Sequence, residues 1–129
     1  MIEPGLTARI TFTADDASTA SALGSGDVPV LGTPKVVALC EEAACAAISG
    51  TLPAGATTVG THIAVDHLAP TAVGRTVTAS ATLTQVDQRK LVFALTVTEG
   101  DTAVARGSHT RFVVDRASFL ASVAPGVDG

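Results

Sequence analysis

A chain of 129 residues, 47% hydrophobic and only 16% charged, is long enough to bury one core and too apolar for a disordered tail. Its net charge of −4, with no Trp or Tyr, leaves neither a basic footprint nor an aromatic platform, which argues against a nucleic-acid partner. There is no run of about 18 apolar residues and no charged-then-apolar leader, so the expectation is a cytoplasmic protein with no membrane partner.

Residues 5–13 alternate, with Leu6, Ala8, Ile10 and Phe12 on one face, which predicts a half-buried strand. Residues 15–29 are rich in Asp, Ser, Gly and Ala and read as a loop with a helical turn near 17–23, a candidate lid. A helix follows from Thr33 to Gly50, with Thr33 as N-cap, Pro34 at the first helical position and Gly50 as the stop. Small or apolar residues occupy nearly its whole circumference, the composition of a buried helix. Glu41 and Glu42 point about 100° apart. Glu42 shares the face of Lys35, the wet one, whereas Glu41 turns toward Val37, Cys45 and Ile48. Cys40 and Cys45 lie five residues apart on this one helix, more than about 7 Å between Cα atoms, and read as free, small buried residues.

Residues 57–68 form a second strand, with Thr61, Ile63, Val65 and His67 on the inner face and His62, Ala64 and Asp66 outward. That outward placement argues against a metal at His62 and Asp66. After a turn at 69–74, a third strand over 75–86 turns Val77, Ala79, Ala81 and Leu83 inward. A polar hairpin at 87–90 leads to a fourth strand over 91–98, with Leu91, Phe93, Leu95 and Val97 on one face. The fifth, 102–114, has Gly107 as its expected bulge. Residues 116–123 predict a short closing helix, before a Pro/Gly tail to residue 129. The fold class is α+β: one domain spanning 1–129, its core at about 5–115, with a long buried helix wrapped by a five-stranded antiparallel sheet. The last four strands are expected to meander, and dimerisation is the expected remedy for the sheet's free edges and outer face.

Three polar groups are expected at the helix–sheet seam: Thr33, Glu41 and His67. Singly, each has a structural explanation, as an N-cap, a rim carboxylate reaching water and a satisfied core histidine. Together they are a hydroxyl, a carboxylate and an imidazole, the parts used in acyl transfer. The helix start adds N–H groups able to hold a carbonyl oxygen. No P-loop, dinucleotide-binding glycine run or zinc-ligand spacing is present.

The run from Leu31 to Pro34 followed by Glu41, the segment from Val59 to Thr71 with Gly74, the segment from Asp87 to Phe93, and Gly107-Ser108-His109-Thr110-Arg111 together resemble the fluoroacetyl-CoA thioesterase-like family of hotdog-fold proteins. The resemblance covers about residues 6–114. It implies a homodimer that hydrolyses an acyl-CoA thioester at sites on the subunit interface, with no cofactor beyond the coenzyme A of the substrate and no metal. Thr33, Glu41 and His67 match the family's catalytic threonine, glutamate and histidine. Gly60 matches a strand glycine beside the substrate, and Arg111 a final-strand arginine in the substrate-binding set. The loop at 24–30 has no aromatic residue to shape a small fluorinated acyl pocket, so a different or broader acyl group is expected. A hydratase acting on an enoyl- or hydroxyacyl-thioester and a non-catalytic acyl-CoA-binding protein are the alternatives.

Overall fold

The computed structural model describes residues 2–123; the expected tail at 124–129 lies outside them. Strand β1 (Thr7–Thr13) is followed by a 3-10 turn at Asp16–Ser18, the short helix α1 (Ala20–Leu23) and the long helix α2 (Thr33–Ile48). Then come β2 (Ala56–His67), β3 (Thr76–Asp87), β4 (Lys90–Glu99), β5 (Thr102–Asp115) and α3 (Arg116–Ser122). The five strands make one antiparallel sheet in the order β1-β3-β4-β5-β2. The chain therefore meanders only from β3 to β5. Strand β2 crosses to the far edge and pairs with β5, a long-range choice that local periodicity does not contain.

The core is the contact of α2 with the inward rows of β3 and β4. Val36, Leu39, Cys40, Ala43, Ala44 and Ile48 of the helix meet Val77, Ala79, Ala81 and Leu83 of β3 and Leu91, Phe93, Leu95 and Val97 of β4, all at most 1% exposed. Burial of each large aliphatic side chain here is worth about 1.5–3 kcal/mol. The alternation expected for both strands is thus realised. The helix is not buried all round, however. Pro34, Ala38, Glu42 and Cys45 face solvent in the single chain, with Glu41 and Val37 at the boundary. Cys45 is exposed, against expectation, because it lies on this open side. Lys35 lays its ammonium over the Phe12 ring, 4.4 Å from the centroid, and so covers one flank of the helix.

The helix starts one residue earlier in role than expected. Gly32, extended at φ −79° and ψ 144°, is the N-cap, and its carbonyl accepts from the amides of Lys35 (3.0 Å) and Val36 (3.1 Å). Thr33 is already inside the first turn, so its hydroxyl is free of capping duty. Gly32 is needed because α1 packs against it: a Cβ there would stand 3.1 Å from the Ala20 backbone. The Gly32 amide donates to the Ser18 carbonyl and the Leu31 amide to the Thr71 carbonyl, which ties the helix start to both neighbouring loops.

The sheet's irregularities fall elsewhere than at Gly107. Thr61 is an extra residue on β2 opposite β5, Thr84 one on β3 and Val104 one on β5. The Val104 bulge lets two successive residues, Val104 and Ala105, both be buried. The Thr61 bulge reverses the alternation of β2. Ile63, Val65 and His67 point inward above it, Gly60 pairs with the inward Arg111 below it, and Thr61 itself is exposed rather than on the inner face. Gly107 pairs regularly with Val65 and Leu95 and is required for close approach: a Cβ there would overlap the carbonyl oxygen of Ala64. No helix among the described residues is long and apolar enough to cross a membrane.

Gly107→Ala is expected to destabilise the fold by about 3 kcal/mol, since backbone must move to admit the methyl. Gly50→Ala, whose Cβ meets nothing within 4 Å, is expected to change stability by less than about 0.5 kcal/mol. Chemical denaturation of the two variants checks the contrast.

Candidate active site

Two clusters of polar side chains occupy the α2–β2 side of the molecule. The first joins the start of α2 to the end of β2: Thr33 Oγ1 lies 2.8 Å from His67 Nδ1. With the helix cap assigned to Gly32, the hydroxyl is available to the imidazole, and when it donates to Nδ1 the ring proton sits on Nε2. That nitrogen is buried and has no hydrogen-bond partner among the described residues. Pro34 has no N–H, and the amides of Lys35 and Val36 return to Gly32, so the Thr33 amide is the donor left at the helix start. The pair opens on a pocket of about 380 Å³ walled by Leu31, Leu68, Ala69 and Pro70 on one side and by the loop residues Ser25, Asp27, Val28 and Val30 on the other. Its wall holds no aromatic ring apart from His67. A volume of this order suits a small organic group.

The second cluster surrounds Gly60. A Cβ placed there would stand 3.3 Å from Glu41 Oε2, 3.2 Å from Arg111 Nη1 and 3.2 Å from His109 Cε1. Glu41 is half-buried, whereas Glu42 is exposed on the Lys35 side, as the helical geometry required. Arg111, 8% exposed, donates from Nε to Thr58 Oγ1 (2.9 Å) and from Nη2 to the Thr58 carbonyl (3.0 Å). Its guanidinium is thus fastened to β2 while Nη1 faces the notch. Cys40 sits beneath this cluster, and burial, then the Glu41 charge, pushes its thiol up to about 11. The thiol remains protonated at neutral pH and is no nucleophile.

The sequence reading brought Thr33, Glu41 and His67 to one seam. Within the chain, only Thr33 and His67 meet. Glu41 lies eight residues further along the helix, about 12 Å at 1.5 Å per residue, beside Gly60 and Arg111. His109 was not singled out, although it is 1% exposed and belongs to the same cluster. The available signal was the inward row Ala105, Gly107, His109, Arg111, Val113 of β5, which sets two polar side chains in a core-facing register. Among the described residues, no group of three or more His, Cys, Asp or Glu side chains could hold a metal ion.

His109 is held below the ordinary imidazole range, chiefly by burial and further by the charges of Arg111 and His62. The hydrogen bond to the His62 carbonyl and the Glu41 carboxylate oppose this without prevailing.

A long helix packed on a five-stranded antiparallel sheet of this order is the hotdog fold. A hotdog-like protein from Thermanaerovibrio acidaminovorans superimposes with a TM-score of 0.87 at 22% identity, over 95% of this chain and 90% of that one. The family model of the fluoroacetyl-CoA-specific thioesterase FlK matches residues 14–117. The fluoroacetyl-CoA thioesterase of Streptantibioticus cattleyicolor is 35% identical over 94 residues, which span 73% of this chain and 68% of that protein. A crystal structure of the fluoroacetyl-CoA thioesterase FlK gives a TM-score of 0.88 at 29% identity, covering 95% of this chain and 96% of the other. The chain belongs to the FlK family of fluoroacetyl-CoA-specific thioesterases.

Because the folded-state pKa of His109 lies below its unfolded value of about 6.5, the unfolded chain binds more protons in acid. Stability is therefore expected to be fully present above about pH 6.5 and to fall as pH drops toward the lower folded-state pKa. Denaturation at a series of pH values should show a shallower acid slope in His109→Asn than in the wild type.

Proposed function

We propose that this protein hydrolyses a small or medium acyl-CoA to the free acid and coenzyme A, with Thr33, Glu41 and His67 as the catalytic residues. The observation that carries the reading is the 2.8 Å pairing of a helix-start hydroxyl with an imidazole at the mouth of a 380 Å³ pocket, in a chain of a thioesterase family. Thioester hydrolysis needs a polarised carbonyl, an activated attacking oxygen and a proton for the leaving thiolate. The Thr33 amide at the helix start supports the carbonyl oxygen. Glu41 either attacks the carbonyl carbon, giving a mixed anhydride that water then cleaves to free the acid and regenerate the carboxylate, or draws the proton from a water that attacks directly. Thr33 relays, and His67 delivers the proton to the sulfur as the carbon–sulfur bond breaks. The chemistry asks for no cofactor, since coenzyme A arrives with the substrate.

The working unit is a homodimer. Strand β2 is a sheet edge, and its Gly60, Thr61, His62 and Ala64 are exposed next to the open side of α2. A second copy lying on this surface would bring its Glu41 toward the Thr33–His67 pair of the first. Each complete site would then take the hydroxyl and imidazole from one subunit and the carboxylate from the other. Gly60, as a residue without a side chain, leaves room there for substrate. Arg111 bounds the same notch.

The reading does not extend to fluoroacetyl-CoA, the substrate named for the relatives. The loop over the pocket contributes Ser25, Asp27, Val28 and Val30, small or polar groups that suit a broader acyl set.

Thiol release from a panel of short, branched, aromatic and medium acyl-CoAs tests the proposal. Turnover of one or a few is expected. Thr33→Ala, Glu41→Ala and His67→Ala should each lower kcat/KM by about 100-fold or more while the protein stays folded. Glu42→Ala should remain within about 3-fold of the wild type. Absence of release across the panel, or an equal loss in Glu42→Ala, contradicts it.

A further inference from the structure

We propose that His109 is a positioning residue for Glu41: a neutral imidazole of fixed tautomer that clamps the β2 bulge and presents an acceptor to Arg111. The inference rests on the hydrolase reading of the Glu41 site and adds a residue and a mechanism to it.

The tautomer follows from the partners. His109 Nδ1 lies 2.7 Å from the carbonyl oxygen of His62, which can only accept, so Nδ1 holds the ring proton and donates it. Nε2 lies 3.2 Å from Arg111 Nη1, which can only donate, so Nε2 is the unprotonated acceptor. A second ring proton would leave Nε2–H facing a guanidinium. Both geometry and charge therefore hold the ring neutral, as the Nδ1–H form.

The location explains what the ring does. Thr61 is the extra residue of the bulge, flanked by Gly60 and His62. A bulge interrupts the ladder and leaves backbone groups to be satisfied by other means. Here two side chains of β5 grip β2 on either side of it. Arg111 holds Thr58 through Nε and Nη2, and His109 holds the His62 carbonyl. Gly60 lies between these two anchors and is thereby fixed against Glu41 Oε2. The charged and titratable groups facing the ring are Glu41 from α2, His62 from β2 and Arg111 from β5. Phe93 of β4 closes the remaining side, its ring centroid 6.2 Å away. With its acceptor removed, an N–H of the pinned Arg111 Nη1 is left unpaired in the notch and would draw the Glu41 carboxylate to itself, out of its working position.

The test combines a spectroscopic and a kinetic readout on the intact protein. Nitrogen-15 correlation spectra of the three histidine rings, assigned by single substitutions, are expected to show His109 as the neutral Nδ1–H tautomer at about pH 7. A neutral Nε2–H form, or an imidazolium at that pH, overturns the proposal. His109→Asn keeps a donor for the His62 carbonyl but loses the acceptor for Arg111. It is expected to lower kcat by about 10- to 100-fold with KM changed less than about 3-fold. His109→Gln places an amide oxygen at the Nε2 position, restoring the acceptor but not the Nδ1 donor, and is expected to recover about 3-fold or more of the kcat lost in His109→Asn. Wild-type kinetics in His109→Asn, or equal losses in Asn and Gln variants, overturn the positioning role while leaving the hydrolase reading in place. A wild-type protein that turns over no acyl-CoA defeats both.

Discussion

The pairing of β2 with β5 is the constraint on which the functional half of the molecule depends. It requires Gly107, because the backbone of β2 at Ala64 occupies the space a side chain would need. From this close approach follow the placement of His67 against Thr33 at one end of β2 and the notch at Gly60 further down. The Thr61 bulge between these points is the second condition. It reverses the strand's facing, so that Gly60 rather than Thr61 lies opposite Arg111, and the site gains an opening instead of a side chain. One added residue in the ladder thus decides which groups surround Glu41.

The core over β3 and β4, on the same face of the sheet, serves a different end. Alanines on α2 and β3, with larger residues on β4, bring the helix close to the sheet and hold its register along the axis. That register sets the two clusters about 12 Å apart on one helix. The proposed dimer, a second copy completing each site, would answer both the separation within the chain and the open side of α2. The small residues on that side, Ala38 and Cys45 among them, would let another surface approach closely. They also account for the nearly all-apolar circumference of a helix that is only half covered in the single chain.

Much of the architecture was legible because it is local. Alternation located β1, β3 and β4 and their inward rows, and the helical angle separated Glu41 from Glu42. Strand order was not legible, because the choice of β5 over β3 as partner for β2 is made by contacts distant in sequence. The cap was misplaced by one residue: Thr33-Pro34 satisfies local capping rules, but α1 packs against Gly32 and makes it the cap. Gly107 signalled an exception in its strand without revealing its kind, a close backbone approach rather than a bulge. His109 escaped notice for a similar reason, since a polar residue in an inward row declares itself only when its partners, the His62 carbonyl and Arg111, are known.

Subunit complementation tests the shared site most directly. Thr33→Ala and Glu41→Ala proteins, each inactive alone, are mixed, unfolded and refolded together so that subunits exchange. If the hydroxyl of one chain works with the carboxylate of the other, half the sites in each mixed dimer are intact. Random pairing makes half the dimers mixed, so about a quarter of the wild-type activity should return under the dimer stoichiometry. If each chain builds its site alone, every site retains a lesion and no activity returns, which would contradict the shared site.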